Sequence, residues 1–459
     1  MNRLRRGRIL SLILSLKPEK AFLCLAIPLG LVLLCAIPPF QVEDEHAHFW
    51  HAYALSEFQI LPERLDSAHI GGYVPESVVQ IVYRKPYHGL GGYPDNRMRL
   101  EDLWPVFGVP LEPQKKAFAH YPGVAFYSPV AYVAPAAAIL LGKLFALPPL
   151  VLLYLGRCGA FAAWLALMFL AIRTAPVAKW IFFLLALLPL AVFQAVGLSA
   201  DSFSAAICFL TIAAFLRCAY GPDEKLPPRR LRGLFALCVL LALSKQSYFL
   251  VPFLYLLIPP GRIGGPRRYW LTFAALLSAA ALALGIWGGL TTRLMTDWTG
   301  GVDPYAQVKF ILTHPFEYLW LVLRTFKHEQ SMVKFIGRPG WEEFSLPEVL
   351  VWLHLAALIL VTFLVHRDEV RIPARGRVVI FATLCASVFL IATLLYMQWN
   401  PVGNPAVRGV QHGRYFVPLA PLLFLPFYGL RLRRDWVVPI CAAISLVWAL
   451  FVILKRYYG

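Results

Sequence analysis

The chain has 459 residues, 59% of them hydrophobic, a net charge of +18 and a sequence pI near 9.7. A mean hydropathy of +0.64 comes from repeated, uncapped apolar runs of about 20 residues, the length that crosses about 30 Å of hydrocarbon. Runs such as 180–197, 269–290 and 436–454 lack the polar stripe of a soluble core helix, so a soluble multidomain protein is excluded. The basic residues sit in short loops between those runs, so the charge reads as membrane topology and not as a nucleic-acid surface. The eight cysteines (Cys24, Cys35, Cys158, Cys208, Cys218, Cys238, Cys385, Cys441) all lie in apolar runs. They read as small core hydrophobes, not as disulfides or metal ligands.

In chain order, Arg3, Arg5, Arg6 and Arg8 precede the first apolar run, 21–39, which carries no clear small-x-small cleavage site and reads as an uncleaved first span. A long loop, 40–123, follows. The apolar stretch 124–146 contains Pro129 and Pro135, and charge parity decides its fate. If it does not cross, the basic clusters at 173–179, 217–232, 262–268, 367–377 and 431–434 all fall on the side of the N-terminal arginines; if it crosses, all five flip. It therefore reads as an interfacial or re-entrant helix. Further spans are expected at 150–172, 178–197, 202–218, 232–243, 247–259, 269–290, 346–365, 378–398, 415–430 and 436–454. Parity also splits 232–259 at Ser244-Lys245-Gln246, since one continuous helix would bury Lys245 at mid-bilayer, costing about 3 kcal/mol. Broken helices are tolerated where they line a polar cavity. The expected architecture is all-α, a polytopic bundle of about eleven spans with the N-terminus cytoplasmic and the C-terminus outside. A second outer loop, 291–345, holds an amphipathic stretch, 304–328, expected to lie in the interface plane.

The loop 40–123 holds eleven of the 25 acidic residues and six of the eleven histidines (46, 48, 51, 69, 88, 120), a concentration that marks it as the working part of the chain. Its densest stretch, Glu43-Asp44-Glu45-His46-Ala47-His48-Phe49-Trp50-His51, follows Pro38-Pro39 and reads as an amphipathic helix running to about Gln59. On it Asp44, His48 and His51 share one face. Three readings stand: a solvated acidic helix start, a carboxylate–histidine metal site, and a general base whose pKa is raised near apolar surface. Arg157, Lys245, Arg408 and Arg414 sit at span ends on the same side, with Asp201 at an outer turn. Each cation alone is a snorkelling anchor. Together they suit a phosphate held at headgroup depth.

Pro39 followed by Asp44-Glu45-x-x-His48, Tyr121-Pro122 with Tyr127-Ser-Pro129, Gly156-Arg157, Ser199-x-Asp201, Ser244-Lys245 and Gln411-His412-Gly413-Arg414-Tyr415-Phe416-x-Pro418 occur in this order. Over nearly its whole length the chain resembles a family of bacterial polytopic membrane proteins known as a domain of unknown function. That family is itself similar to the GT-C fold glycosyltransferases, which include protein mannosyltransferases and aminoarabinose transferases. The chain departs from the pattern in placing His412 between Gln411 and Gly413. The resemblance implies an inverting glycosyltransferase of the inner (plasma) membrane with a periplasmic active site. It would move a sugar from a polyprenyl-phosphate donor to a hydroxyl on a cell-envelope glycan or lipid. By motif, Asp44 or Glu45 would be the base. Arg157 and Lys245, with Arg414 and Arg408, would bind the donor phosphate. Asp201 and His48 would be second acids or ligands of a divalent cation, which some members need.

A ligase-like enzyme using a lipid pyrophosphate would instead draw on Arg324, His328, Arg338 and Arg408. A transporter or flippase of a lipid-linked or anionic substrate fits charged residues at broken helices, although the chain shows no inverted repeat. A non-catalytic assembly protein is the third class.

Overall fold

The computed structural model describes residues 16–84, 90, 93, 95–292, 294, 301–328, 336–338, 340, 344–364, 370–428 and 437–459. The N-terminal arginines, His88, Arg367 and the Arg431, Arg433 and Arg434 cluster lie outside the described residues, as does the side chain of His328.

The chain opens with α1 (Pro18–Ala36) and α2 (Glu45–Ser56). The loop then forms a sheet of β1 (Glu63–Arg64), β2 (Ile70–Pro75) and β3 (Lys116–His120). The membrane helices follow: α3 (Val133–Leu144), α4 (Pro149–Thr174), α5 (Lys179–Ala186), α6 (Pro189–Val196), α7 (Ala200–Tyr220), α8 (Pro228–Ser244) and α9 (Pro266–Thr292). The second loop carries α10 (Pro304–Thr313) and α11 (Pro315–His328), and α12 (Glu348–Leu364), α13 (Ala374–Trp399) and α14 (Val437–Tyr458) complete the order. Proline occupies the first turn of α1, α4, α6, α8 and α10, where its fixed φ suits the helix and its missing N–H is no loss.

Among the described residues six helices (α1, α4, α7, α9, α13, α14) are long and apolar enough to cross a membrane. α5 and α6 form a pair bent by 58° at Leu187-Leu188, where Pro189 cannot continue the i→i−4 ladder. α8 ends at Ser244, and Lys245 is extended (φ −161°, ψ 118°) before 3-10 turns over Gln246–Tyr248 and Val251–Leu257. That is the break placed at Ser244-Lys245-Gln246 by charge parity. The 3-10 winding rises about 2.0 Å per residue, so Gln246–Leu257 reaches about 24 Å, more than an α-helix of that length. Exposed Leu271, Leu282, Ile286, Phe381, Ile444 and Phe451 line the outer faces of α9, α13 and α14, as lipid contact requires.

Two ends of the bundle can be read from their contacts. At one, Lys179 lies 3.9 Å from Glu19, Arg262 donates to the carbonyls of Cys218 and Gly221, and Arg377 Nη2 donates to Tyr428 O. At the other, the loop 40–123 meets α4 and the α6–α7 junction. The C-terminus also lies there: Met98 N–H donates to Tyr457 O, and Arg456 Nη2 to Leu90 O. The chain therefore ends at the same end as the loop, opposite the start of α1.

The loop is folded, and it corrects the all-α expectation. The sheet is antiparallel with order β1-β2-β3, pairing Glu63 with Gly71 and Tyr73 with Phe118. Its strands are short, and β2 is interrupted by Gly71 and Gly72, so no sustained alternation of apolar residues announces them. A Cβ at Gly71 would sit against the backbone carbonyl of Ala119, so only glycine permits this pairing. α2 is also not the amphipathic helix expected to run to about Gln59. It ends at Ser56, and ten of its 12 residues are buried, enclosed by β2, α3 and Pro122–Ala125.

α3 has 12 residues, about 18 Å at 1.5 Å per residue, too short for about 30 Å of hydrocarbon. It packs lengthwise on α4, where Gly159 lets the backbone of Ala134 approach: a Cβ there would come within 2.7 Å of that carbonyl oxygen. Its last turn is held by Lys143, 3.2 Å from Glu57, which also pairs with Lys116. Gly159→Leu is expected to force α3 from α4 and lower stability by about 1–3 kcal/mol, as overpacking does. Thermal unfolding of the purified protein checks this, with Gly285→Ala, which meets nothing within 4 Å, as the unaffected control.

Candidate functional site

α1 ends at Ala36, and the chain turns through Pro38-Pro39 into a strained segment. Phe40 (φ 64°) and Asp44 (φ 59°) are both left-handed, which for a bulky aromatic residue is a true outlier. The turn is pinned from below by Glu45. Its Oε2 accepts from Phe40 N–H at 2.7 Å and from Arg157 Nη2 at 2.6 Å. Its Oε1 accepts from Arg157 Nε at 2.7 Å and Leu198 N–H at 2.9 Å. Arg157 also donates to the carbonyls of Leu34, Ile37 and Pro38. Both side chains are fully buried (0%/0%). Glu45 and Arg157 thus form a closed lower tier that turns no polar face to a ligand.

An open upper tier lies beside it. Asp44 caps α2 without a side-chain capping bond, and its side chain is 48% exposed. Arg414, from the Gly413–Tyr415 turn, reaches three carboxylates: Nη1 is 2.6 Å from Glu43, Nη2 3.2 Å from Asp44 and Nε 3.5 Å from Asp201. Asp201, at the start of α7, binds Lys245 Nζ at 2.5 Å. Lys245 lies over the rings of Tyr415 (4.5 Å) and Tyr127 (5.6 Å), which shield one side of the ammonium and attract it. His48 stacks on Tyr127 and shares a 2.7 Å hydrogen bond between Nδ1 and the Tyr132 hydroxyl. His51 stacks on Tyr132 at 4.3 Å, with Nδ1 3.1 Å from Val124 O.

Burial raises the pKa of Asp44, but the nearby Arg414 outweighs it and leaves the carboxyl below its usual value. His48 is pushed down to about 3 by burial, against the pull of Asp44, and His51 to about 4 by burial, against its bond to Val124. Both imidazoles are neutral at pH 7.

The structure brings Asp44, His48, Asp201, Lys245 and Arg414 together and places Glu45 and Arg157 in the closed pair beneath them. Arg408 is exposed, and no contact joins its side chain to the cluster. Asp201 and His48 do not fit as a metal pair: both Asp201 oxygens face cations and His48 Nδ1 is taken by Tyr132. Among the described residues no three His, Cys, Asp or Glu side chains are grouped to hold an ion. Glu43, Tyr132 and Tyr415 join the site without having been singled out in the sequence. Tyr415 lies in the Gly413-Arg414-Tyr415-Phe416 motif, the one signal that could have found it.

Fold and site together define a helical membrane protein with a charged cleft where its helix ends meet a folded loop. The chain belongs to the DUF2142 family, described as predicted membrane proteins, whose model matches residues 28–423 and so takes in the whole cluster. No curated protein and no solved structure matches the chain.

Two outcomes separate the tiers. Glu45→Gln or Arg157→Met leaves a buried group uncompensated and is expected to cost about 3–5 kcal/mol, read as lost yield and a lower melting temperature. Asp44→Asn leaves both almost unchanged. The buried histidines set the acid response: their folded pKa values lie below 6.5, so the unfolded chain takes up protons first as pH falls. Stability is expected to be full above about pH 7 and to decline from about 6.5 downward, by up to about 1.4 kcal/mol per pH unit per histidine. A pH series of melting temperatures in which His51→Phe responds as steeply as the parent would contradict that assignment.

Proposed function

We propose that this protein is a membrane glycosyltransferase of GT-C type that moves a sugar from a polyprenyl-phosphate donor to an acceptor hydroxyl at the outer face of the inner membrane. The observation that carries the reading is the half-exposed carboxylate of Asp44 held against Arg414, with Lys245 one carboxylate away. Asp44 takes the proton of the acceptor hydroxyl. The acceptor oxygen attacks the anomeric carbon from the face opposite the phosphate, so the configuration inverts. The bond between that carbon and the phosphate oxygen breaks, and its electron pair leaves with polyprenyl phosphate. Arg414 and Lys245 stabilise the charge that grows there. Asp201 keeps Lys245 in place, and Glu45 with Arg157 fixes the turn that presents Asp44.

The contacts at the two ends support eleven passages between them: α1, α4, the bent α5–α6 pair, α7, α8, Gln246–Leu257, α9, α12, α13, Gly413–Phe427 and α14. With the basic end cytoplasmic, the N-terminus is inside and the cluster is periplasmic. α3 then lies on the outer side, and α11, with exposed Phe316, Trp320 and Leu323, rests in the interface.

Purified protein given synthetic polyprenyl-phosphate sugars and envelope glycan or lipid acceptors is expected to release polyprenyl phosphate. Asp44→Asn should lower that rate about 10²- to 10⁴-fold. The bent α5–α6 pair and the Lys245 break also suit a carrier. Lipid-linked substrate moved across vesicles at an undiminished rate by Asp44→Asn, with no release in any combination, would favour transport and end the enzyme reading.

A further inference from the structure

Arg414 faces more negative charge than it can neutralise. Glu43, Asp44 and Asp201 surround it, Lys245 is the one other cation paired within the group among the described residues, and His412, 3.6 Å from Glu43, adds charge only when protonated. The side chain is 10% exposed, and its Nε meets Asp201 only at 3.5 Å, without hydrogen-bond geometry. Next to it lies a small cleft, with room for about one water until its carboxylates move, lined by Glu43, Arg338, Gln411, His412 and Arg414. No described residue pairs with Arg338, so the cleft holds a cation that the acidic cluster does not use.

We propose that this cleft is a phosphate subsite walled by Arg338 and Arg414, and that a phosphate ester docking there takes Arg414 from the carboxylate of Asp44. The inference rests on the reading above and deepens it. In the empty protein Glu43 and Asp44 stand where phosphate oxygens would bind. Guanidinium groups hold phosphate through two parallel N–H···O bonds, and the N–H groups of Arg414 that would do so now face Glu43, Asp44 and Asp201. Asp44 yields first, because its contact is longer than that of Glu43 (3.2 against 2.6 Å) and its side chain is far more exposed (48% against 10%). Arg338 supplies the charge that lets another anion join three carboxylates. The base is then free to accept a proton only when the donor is in place.

The test is calorimetric titration of the purified full-length protein with inorganic phosphate and with decyl phosphate, which separates a bare phosphate site from one that also needs a lipid tail. Arg338→Gln is expected to weaken binding about five- to tenfold, and Asp44→Asn and Glu43→Gln to tighten it by a similar factor, since each removes an internal competitor. Melting temperatures confirm that the variants are folded. Tightening by Asp44→Asn, the same change expected to slow transfer, is an opposite sign that a merely damaged site would not give. Phosphate binding that ignores all three substitutions overturns the subsite and leaves the transfer reading standing. Absence of phosphate binding in every protein, together with no donor turnover, overturns both.

Discussion

Glu45 and Arg157 are both removed from solvent, and each takes its partner's charge in a fully hydrogen-bonded arrangement. Two ions cannot be buried this way unless nearly every donor and acceptor is met. The requirement is met by parts of the chain that are otherwise far apart. The carbonyls of Leu34, Ile37 and Pro38 come from the end of α1, the N–H of Phe40 from the turn, the N–H of Leu198 from the α6–α7 junction and Arg157 from α4. The pair therefore ties the first loop to the helices at one depth. It also holds Phe40 in a conformation costing about 1–3 kcal/mol, which persists only where the surroundings over-determine it.

Above that tier the logic reverses. The open cluster is not neutralised within itself, and its members are shared instead of paired one to one. Arg414 serves three carboxylates, Asp201 serves two cations, and Lys245 draws on the faces of two tyrosines. Shared partners make such a network easy to rearrange, whereas a closed bidentate pair resists it. The closed pair carries the position of the site, and the open network carries its capacity to bind.

The membrane class, the helical regions and the break at Lys245 were legible in the sequence, because hydrocarbon demands long apolar runs and leaves ionisable residues few places to sit. The sheet was not legible, since Ile70–Pro75 holds two glycines and a terminal proline and its partners lie some 45 residues on, at Lys116–His120. Arg157 shows a different limit. A motif can mark an arginine as important, but only the carbonyls around it reveal that its five donors are already spent. Arg338 shows the converse: it stands in no motif, and its place beside Arg414 depends on how the second loop returns to the first.

Asp44 and Glu45 are adjacent in the chain and identical in charge, and the resemblance could not choose between them. Backbone geometry separates them. Glu45 is the first residue of α2, and its side chain turns back beneath the helix start to meet Arg157. Asp44 sits one step earlier in the left-handed region, a conformation that aspartate tolerates better than most residues. Its carboxylate lies 3.2 Å from Arg414 and is 48% exposed to solvent. Two neighbouring acids thus meet different surroundings: Glu45 is closed in a fully buried pair, and Asp44 stays open to solvent and a ligand.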